Sequence, residues 1–208
     1  MKYQNLFQSL QLGSITLKNR LAMSQMTMNY ATKEGLATEK LIRYYSERAK
    51  GGVGLIFVEG TFFTPEGRGY VHQLGLSSSG HLEKLKGLSR AVHGLNRDVR
   101  VFIQIHHAGG RTYSKVTGLQ PVAPSELPLY PGADAPHALT KKEIGDLVEA
   151  HIQAAARAKE AGFDGVDIHC AHGYLIPQFF SPLFNRRDDE YGGDLSGRTR
   201  FLIEILRG

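Results

Sequence analysis

Four alternations of a short apolar run with a longer stretch of helical periodicity predict an α/β fold, a parallel sheet with its helices outside it. The apolar runs are residues 20–25, 53–58, 99–105 and 164–169, and the helical stretches begin near Thr38, His81, Thr140 and Ser196. Ahead of them, Leu10 to Leu17 alternates about Gly13-Ser14 and predicts a small hairpin.

Each element has a local reason. Residues 20–25 are apolar and end in polar residues, which suits a first strand. Thr38 opens a pattern through Leu41, Tyr44, Tyr45 and Arg48 that stops at Gly51-Gly52: a Thr N-cap and a Gly stop. Residues 53–58 form a continuous apolar run, as in a strand buried on both faces, and a Gly/Pro-rich loop is expected over 60–69. Leu82, Leu85, Leu88, Val92 and Leu95 then recur at helical spacing, and a third strand follows at once. Residues 107–139 carry Pro121, Pro124, Pro128, Pro131 and Pro136 and read as a long loop, of the kind that usually covers a functional site. Thr140 with Glu143 forms a capping box for a helix to about Ala161, with Leu147, His151, Ala154, Ala155 and Ala158 as its inner stripe.

The chain has 208 residues, 41% hydrophobic, enough for one globular unit with a sizeable core. Its one cysteine, Cys170, excludes an intrachain disulfide framework, and Met1 to Leu10 do not read as a signal sequence. A cytoplasmic protein with no membrane span is expected. The net charge is +5, but basic residues are scattered singly or in pairs, the pattern of a solvated surface and not of a nucleic-acid track. Four βα units are too few to close an eight-stranded barrel of about 250 residues. A doubly wound open sheet would be complete at this length, yet no GxGxxG follows the first strand and no Walker motif occurs.

The chemistry concentrates where strands end. His169, His172 and Tyr174 fall within one short stretch after the fourth strand. Two imidazoles can hold a polarised oxygen while a phenol delivers a proton. The same residues could be core histidines, or, with Cys170, a metal fragment, although zinc wants three or four ligands and these are too close in sequence to converge easily. The other strand ends carry Ser24-Gln25-Met26-Thr27, Glu59-Gly60-Thr61 and Gln104-Ile105-His106-His107-Ala108-Gly109-Gly110-Arg111. A rim of Thr, Gly, Gln and His complements a planar heteroaromatic, and Gln104 can donate and accept at once.

Longer motifs run through the chain: Leu17-Lys18-Asn19-Arg20, Glu59-Gly60 with Pro65-Glu66-Gly67-Arg68, Gln104-Ile-His-His-Ala-Gly, and above all His169-Cys-Ala-His-Gly-Tyr-Leu-Ile-Pro-Gln-Phe-Phe-Ser-Pro-Leu-Phe-Asn185, continuing through Tyr191-Gly-Gly193 to Arg198-Thr-Arg-Phe. In these the sequence resembles the old yellow enzyme family of FMN-dependent ene-reductases, including the NADH:flavin oxidoreductases and the bacterial dienoyl-CoA reductase branch. The resemblance implies the N-terminal half of a (β/α)8 TIM barrel, FMN as cofactor, and NADH or NADPH as transient reductant. It implies that Thr27, with Met26 beside it, and Gln104 contact the flavin, and that Gly60 lets the backbone approach it. It implies that His169 and His172 bind the oxygen of an activated alkene, an enone or enoyl thioester, and that Tyr174 is the proton donor. Read without the resemblance, Thr27 is a turn or cap residue and Gly60 a loop glycine.

His106 and His107 are left outside catalysis, and residues 186–190 read as a solvated charge run that the resemblance turns into a structural element. The sequence departs from the family at Gln25, where many members have proline, at Asn29, near a position often aromatic in one branch, and in His107-Ala-Gly-Gly-Arg111, which carries an additional or substituted glycine. Resembling proteins continue through four more βα units that hold the flavin phosphate, so weak FMN binding is expected of these 208 residues. Three further readings stay open: a homo-oligomer, a non-catalytic half-barrel that pairs with a complementing polypeptide, and a metal-dependent barrel enzyme using His169 and His172.

Overall fold

The computed structural model describes residues 3–208. In chain order the strands and α-helices are β1 (Leu10–Leu12), β2 (Ile15–Leu17), β3 (Ala22–Met23), α1 (Glu39–Lys50), β4 (Leu55–Phe62), α2 (Ser79–Leu95), β5 (Arg100–His106), α3 (Ser114–Thr117), β6 (Val122–Ala123), β7 (His137–Ala138), α4 (Lys141–Glu160), β8 (Gly165–Ile168), α5 (Leu175–Phe180) and α6 (Leu195–Arg207). β3, β4, β5 and β8 are neighbours in that order in one sheet. β3 and β4 are parallel, with Ala22 opposite Leu55 and Met23 opposite Ile56. A helix lies in sequence between each strand and the next, the connection a parallel sheet requires. The chain divides into two compact units, one of Met1–Thr61, His72–Gln104 and Arg157–Asp167, the other of Phe62–Val71, Ile105–Ala156 and Ile168–Gly208.

In the first unit β1 and β2 form the expected antiparallel hairpin, with Gly13 at φ 57 in its turn. Thr38 Oγ1 accepts from the Leu41 N–H and caps α1, and Ser78 caps α2 in the same way through His81. Leu41, Tyr45 and Ala49 of α1, Leu85, Leu88 and Val92 of α2, and Ile56, Val58, Val101 and Ile103 of the strands are all fully buried. Each large side chain among them contributes about 1.5–3 kcal/mol by leaving water. Asp164 fastens β8 to β5: it accepts from Val101 N–H at 2.8 Å, from His93 Nε2 at 2.8 Å and from Arg100 Nη1 at 3.1 Å. Burial opposes its charge, but these partners hold its carboxyl below the ordinary value.

The second unit is built on a cluster of Leu139, Ile144, Leu147, Leu175, Ile176, Phe179, Tyr191, Phe201 and Ile205. Phe179 and Phe201 lie 4.7 Å apart, which joins α5 to α6. The capping box forms as expected: Thr140 N–H donates to Glu143 Oε2 at 2.7 Å and Glu143 N–H to Thr140 Oγ1 at 3.2 Å. The charge run is not simply solvated. Arg187 donates to Asp189 and to the carbonyls of Pro124 and Leu139, and Asn185 Nδ2 donates to the carbonyls of Phe179 and Tyr191. These bonds tie a surface turn to the long loop, the structural role the family resemblance implies. Within that turn Gly192 has no room for a side chain, since an added Cβ would stand 2.1 Å from the Arg187 carbonyl oxygen.

Three boundaries differ from expectation. The first strand is only Ala22–Met23, because the residues after it leave the sheet. β4 runs through Gly60 to Phe62, so Gly60 lies in a strand and not in a loop; Thr61 and Phe62, good strand formers, are buried beyond it. Residues 107–139 are not structureless, since they carry α3 and the parallel pair β6–β7. α5 had no strong sequence signal, being six residues long with Pro177 in its first turn, where a missing N–H costs nothing. No helix among the described residues is long and apolar enough to cross a membrane.

Glu143 has its carboxyl lowered to about 2 by the Thr140 N–H, then by His137 and the Thr140 hydroxyl. A depressed carboxylate stabilises the fold above its unfolded value and loses that contribution as pH falls through the folded one. Glu143→Ala should therefore lower stability by about 1 kcal/mol at pH 7, given the exposure of the pair. In chemical denaturation the gap between variant and wild type should close between pH 4.5 and about 2.

Candidate functional site

The expected cofactor residues Met26, Thr27, Gly60 and Gln104 all belong to the first unit. Met26 and Thr27 follow β3 and are exposed, with Met26 58% accessible. The segment is fastened one residue later, where Met28 N–H donates to Glu59 Oε2 at 3.2 Å. Glu59 is fully buried; its Oε2 also accepts from the Tyr45 hydroxyl, which in turn takes the Glu59 N–H at 2.9 Å. Burial pushes the Glu59 carboxyl up to about 7, against the pull of the Met28 and Tyr45 bonds, and its Oε1 has no hydrogen-bond partner among the described residues. Gly60 is buried inside β4 and its carbonyl accepts from Gln73 Nε2 at 2.7 Å.

Gln104, near the end of β5, donates through Nε2 to Asp167 Oδ2 at 2.6 Å. Gln25 donates to the same oxygen at 3.4 Å. Burial raises the Asp167 carboxyl and the Gln104 bond opposes that rise. Asp167 was not among the expected site residues, and its only sequence signal was a charge inside an apolar strand.

The expected substrate residues His169, His172 and Tyr174 belong to the second unit, and there they converge. His169 N–H donates to the Ile105 carbonyl at 3.1 Å, which aligns its ring beside that of His106. His169 Nδ1 accepts from Ala171 N–H at 3.2 Å, so its proton sits on Nε2, which lies 3.4 Å from His172 Nδ1. The contact is long, and an oxygen placed there would take over the Nε2 proton. Burial, and then the nearness of His172, lower His169 to about 4, so it is a neutral donor at physiological pH. No group of three His, Cys, Asp or Glu placed to hold a metal ion occurs among the described residues.

His172 stands at φ 61, a left-handed conformation that a side chain beyond glycine adopts at a cost of about 1–2 kcal/mol. The turn is held by Arg111 Nη1, donating to the His172 carbonyl at 2.8 Å, and by Gln178 Nε2, donating to the Gly173 carbonyl at 2.8 Å. Gln178 also receives the Gly110 N–H at 3.0 Å. Gly109 has φ 59, and a Cβ there would stand 2.6 Å from Gln178 Oε1. The departure in His107-Ala-Gly-Gly-Arg111 thus lies against the amide that holds the turn.

Tyr174 packs edge-on against His106 at 4.3 Å and His169 at 4.9 Å between ring centres. Its hydroxyl is 2.9 Å from that of Tyr70. Burial first, then the Tyr70 bond, push its pKa well up, against the nearby Arg111 cation. Tyr174 is therefore fully protonated at neutral pH. His106, set aside as non-catalytic, is buried against Tyr174, and burial followed by the neighbouring His169 and His107 keep it neutral. Sequence reasoning missed Tyr70 and gave Arg111 only a place in the polar run after the third strand, since neither lies near the histidine cluster in sequence.

The chain matches the model of the NADH:flavin oxidoreductase / NADH oxidase family over residues 5–208. It is 43% identical to an NADH oxidase of Thermoanaerobacter brockii over 99% of its own length and 32% of that protein's. It is also 43% identical to an NADPH dehydrogenase of Clostridium acetobutylicum over 97% of its own length and 58% of the relative's. Among solved structures it is similar to the old yellow enzyme homologue from Zymomonas mobilis, with a TM-score of 0.91 and 37% identity over 98% of this chain and 59% of that one. The chain thus spans between a third and three fifths of the length of these proteins. The parallel α/β architecture is part of the barrel that such structures share. The chain belongs to the NADH:flavin oxidoreductase / NADH oxidase family, whose members include the old yellow enzymes and use FMN with NADH or NADPH.

Proposed function

We propose that the protein reduces an activated alkene, an enone or enoyl thioester, with electrons from NADH or NADPH, and that Tyr174 donates the proton. The observation that carries this reading is the convergence of two imidazoles, that of His169 neutral, and a protonated phenol on one turn. A neutral His169 Nε2–H and the His172 ring offer hydrogen bonds to a carbonyl oxygen without charging it beforehand. Negative charge gathers on that oxygen as the alkene is reduced, so these bonds strengthen when they are needed. The phenol of Tyr174 then protonates the α-carbon, and Tyr70 at 2.9 Å stands ready to share the resulting charge.

The residues of the first unit fit a flavin. Gln104 has its amide nitrogen engaged and its oxygen without a partner among the described residues, and Gly60 presents backbone in place of a side chain. In this reading Gln104, Thr27 and Met26 meet the pyrimidine side of FMN, and Gly60 allows its close approach. What FMN supplies when bound is two-electron transfer from the nicotinamide to the alkene. The exposed thiol of Cys170 suits a reducing, cytoplasmic setting.

Tyr174→Phe should slow reduction of an enone by roughly 10²–10⁴ while leaving flavin reduction by nicotinamide unchanged. Stopped-flow measurement of the two half-reactions checks this; equal losses in both would refute the acid role. Because His169 is neutral above about 4, affinity for a saturated ketone should stay level from pH 5 to 8 and fall only as pH approaches 4. Binding that weakens steadily above pH 6.5 would mean that an imidazolium holds the oxygen instead.

A further inference from the structure

We propose that Asp167 is a positioning residue: its carboxylate fixes the orientation of the Gln104 amide, so that the amide oxygen and not the nitrogen is presented to the N3–H of the FMN pyrimidine ring. The inference rests on the flavin reading above and goes beyond it by assigning a role to a residue two positions before His169.

The geometry begins with the strands. β5 and β8 are neighbours, and Phe102 and Gly165 share a face, since a Cβ added at Gly165 would meet the Phe102 ring at 2.6 Å. Two residues further along each strand, on the same face, stand Gln104 and Asp167. Gln104 is 3% exposed, and its Nε2 lies 2.6 Å from Asp167 Oδ2. A carboxylate only accepts, so it selects the nitrogen end of an amide whose two ends are otherwise nearly alike in shape. Gln25 donates to the same oxygen and fills the remaining approach to it. With the nitrogen end turned to Asp167 by one of its two N–H groups, the carbonyl oxygen of Gln104 is held at the opposite end of the amide.

The pyrimidine edge of a flavin alternates acceptor, donor, acceptor: C2 carbonyl, N3–H, C4 carbonyl. A carbonyl oxygen pairs with the central donor and is repelled by either flanking acceptor. A reversed amide would do the opposite. Asp167 therefore converts an ambivalent side chain into a reader of N3–H. Hydrogen bonds with a charged partner shift an equilibrium by on the order of tenfold or more, enough to hold one orientation.

The test is a fluorescence titration of the protein with FMN and with N3-methyl-FMN, which lacks the donor. Wild type should bind FMN about tenfold more tightly than the methylated flavin. Asp167→Ala should bring the two affinities within about twofold, because the amide is then free to turn. Asp167→Asn, which keeps an acceptor of the same shape but can rotate to offer a donor, should fall between. A merely structural role would weaken both flavins by the same factor and leave their ratio unchanged. Wild-type protein that binds neither flavin overturns the flavin reading and this inference together. Wild type that binds FMN without discriminating at N3, or either folded variant that discriminates as strongly as wild type, overturns the inference alone.

Discussion

Gln178 is almost wholly buried, and its side-chain amide makes bonds in three directions: to the carbonyls of Gly173 and Ala108, and from the N–H of Gly110. The second unit depends on this amide. His172 is held in a left-handed conformation that its own side chain disfavours, and the turn persists because Gln178 and Arg111 occupy the carbonyls on either side of the bend. Without them those polar groups would be unpaired, and the imidazole of His172 would not meet that of His169. The glycine at 109 follows from the same constraint, since the backbone must come close enough for Gly110 to donate to the buried amide and has no space for a Cβ at 109.

The first unit meets a similar demand with carboxylates. Glu59 and Asp167 are carboxyl groups withdrawn from water, Glu59 wholly and Asp167 in part, and burial raises both. Neither contributes to stability as an apolar residue would. What each does is take hydrogen bonds from a segment that has to be held: Met28, next to Thr27, in one case, and the amides of Gln25 and Gln104 in the other. Polar groups of this kind fix one arrangement at the expense of stability. That exchange is common where a strand end has to present particular atoms.

Elements governed by neighbouring residues were legible in the sequence. Thr38, and Thr140 with Glu143, cap helices through bonds that span three residues, and the folded chain forms each of them. The hairpin at Gly13 and the buried strands expected at 53–58 and 99–105, found at 55–62 and 100–106, follow from alternation and apolar runs. Gly60 was misread as a loop residue because glycine ordinarily punctuates, whereas here a buried strand continues past it. α5 escaped notice because six residues are too few for a periodic signal.

By itself the sequence determined the α/β class, the four long helices and the cluster of His169, His172 and Tyr174, because caps, periodicity and a compact motif act within a few residues. Tertiary structure alone decided which other groups act with them. Tyr70 reaches Tyr174 across 104 positions, Gln104 reaches Asp167 across 63 and Gln25 across 142. No local pattern encodes such pairs. The protonation of Tyr174 and His169 is decided in the same way, by burial and by neighbours that only folding assembles.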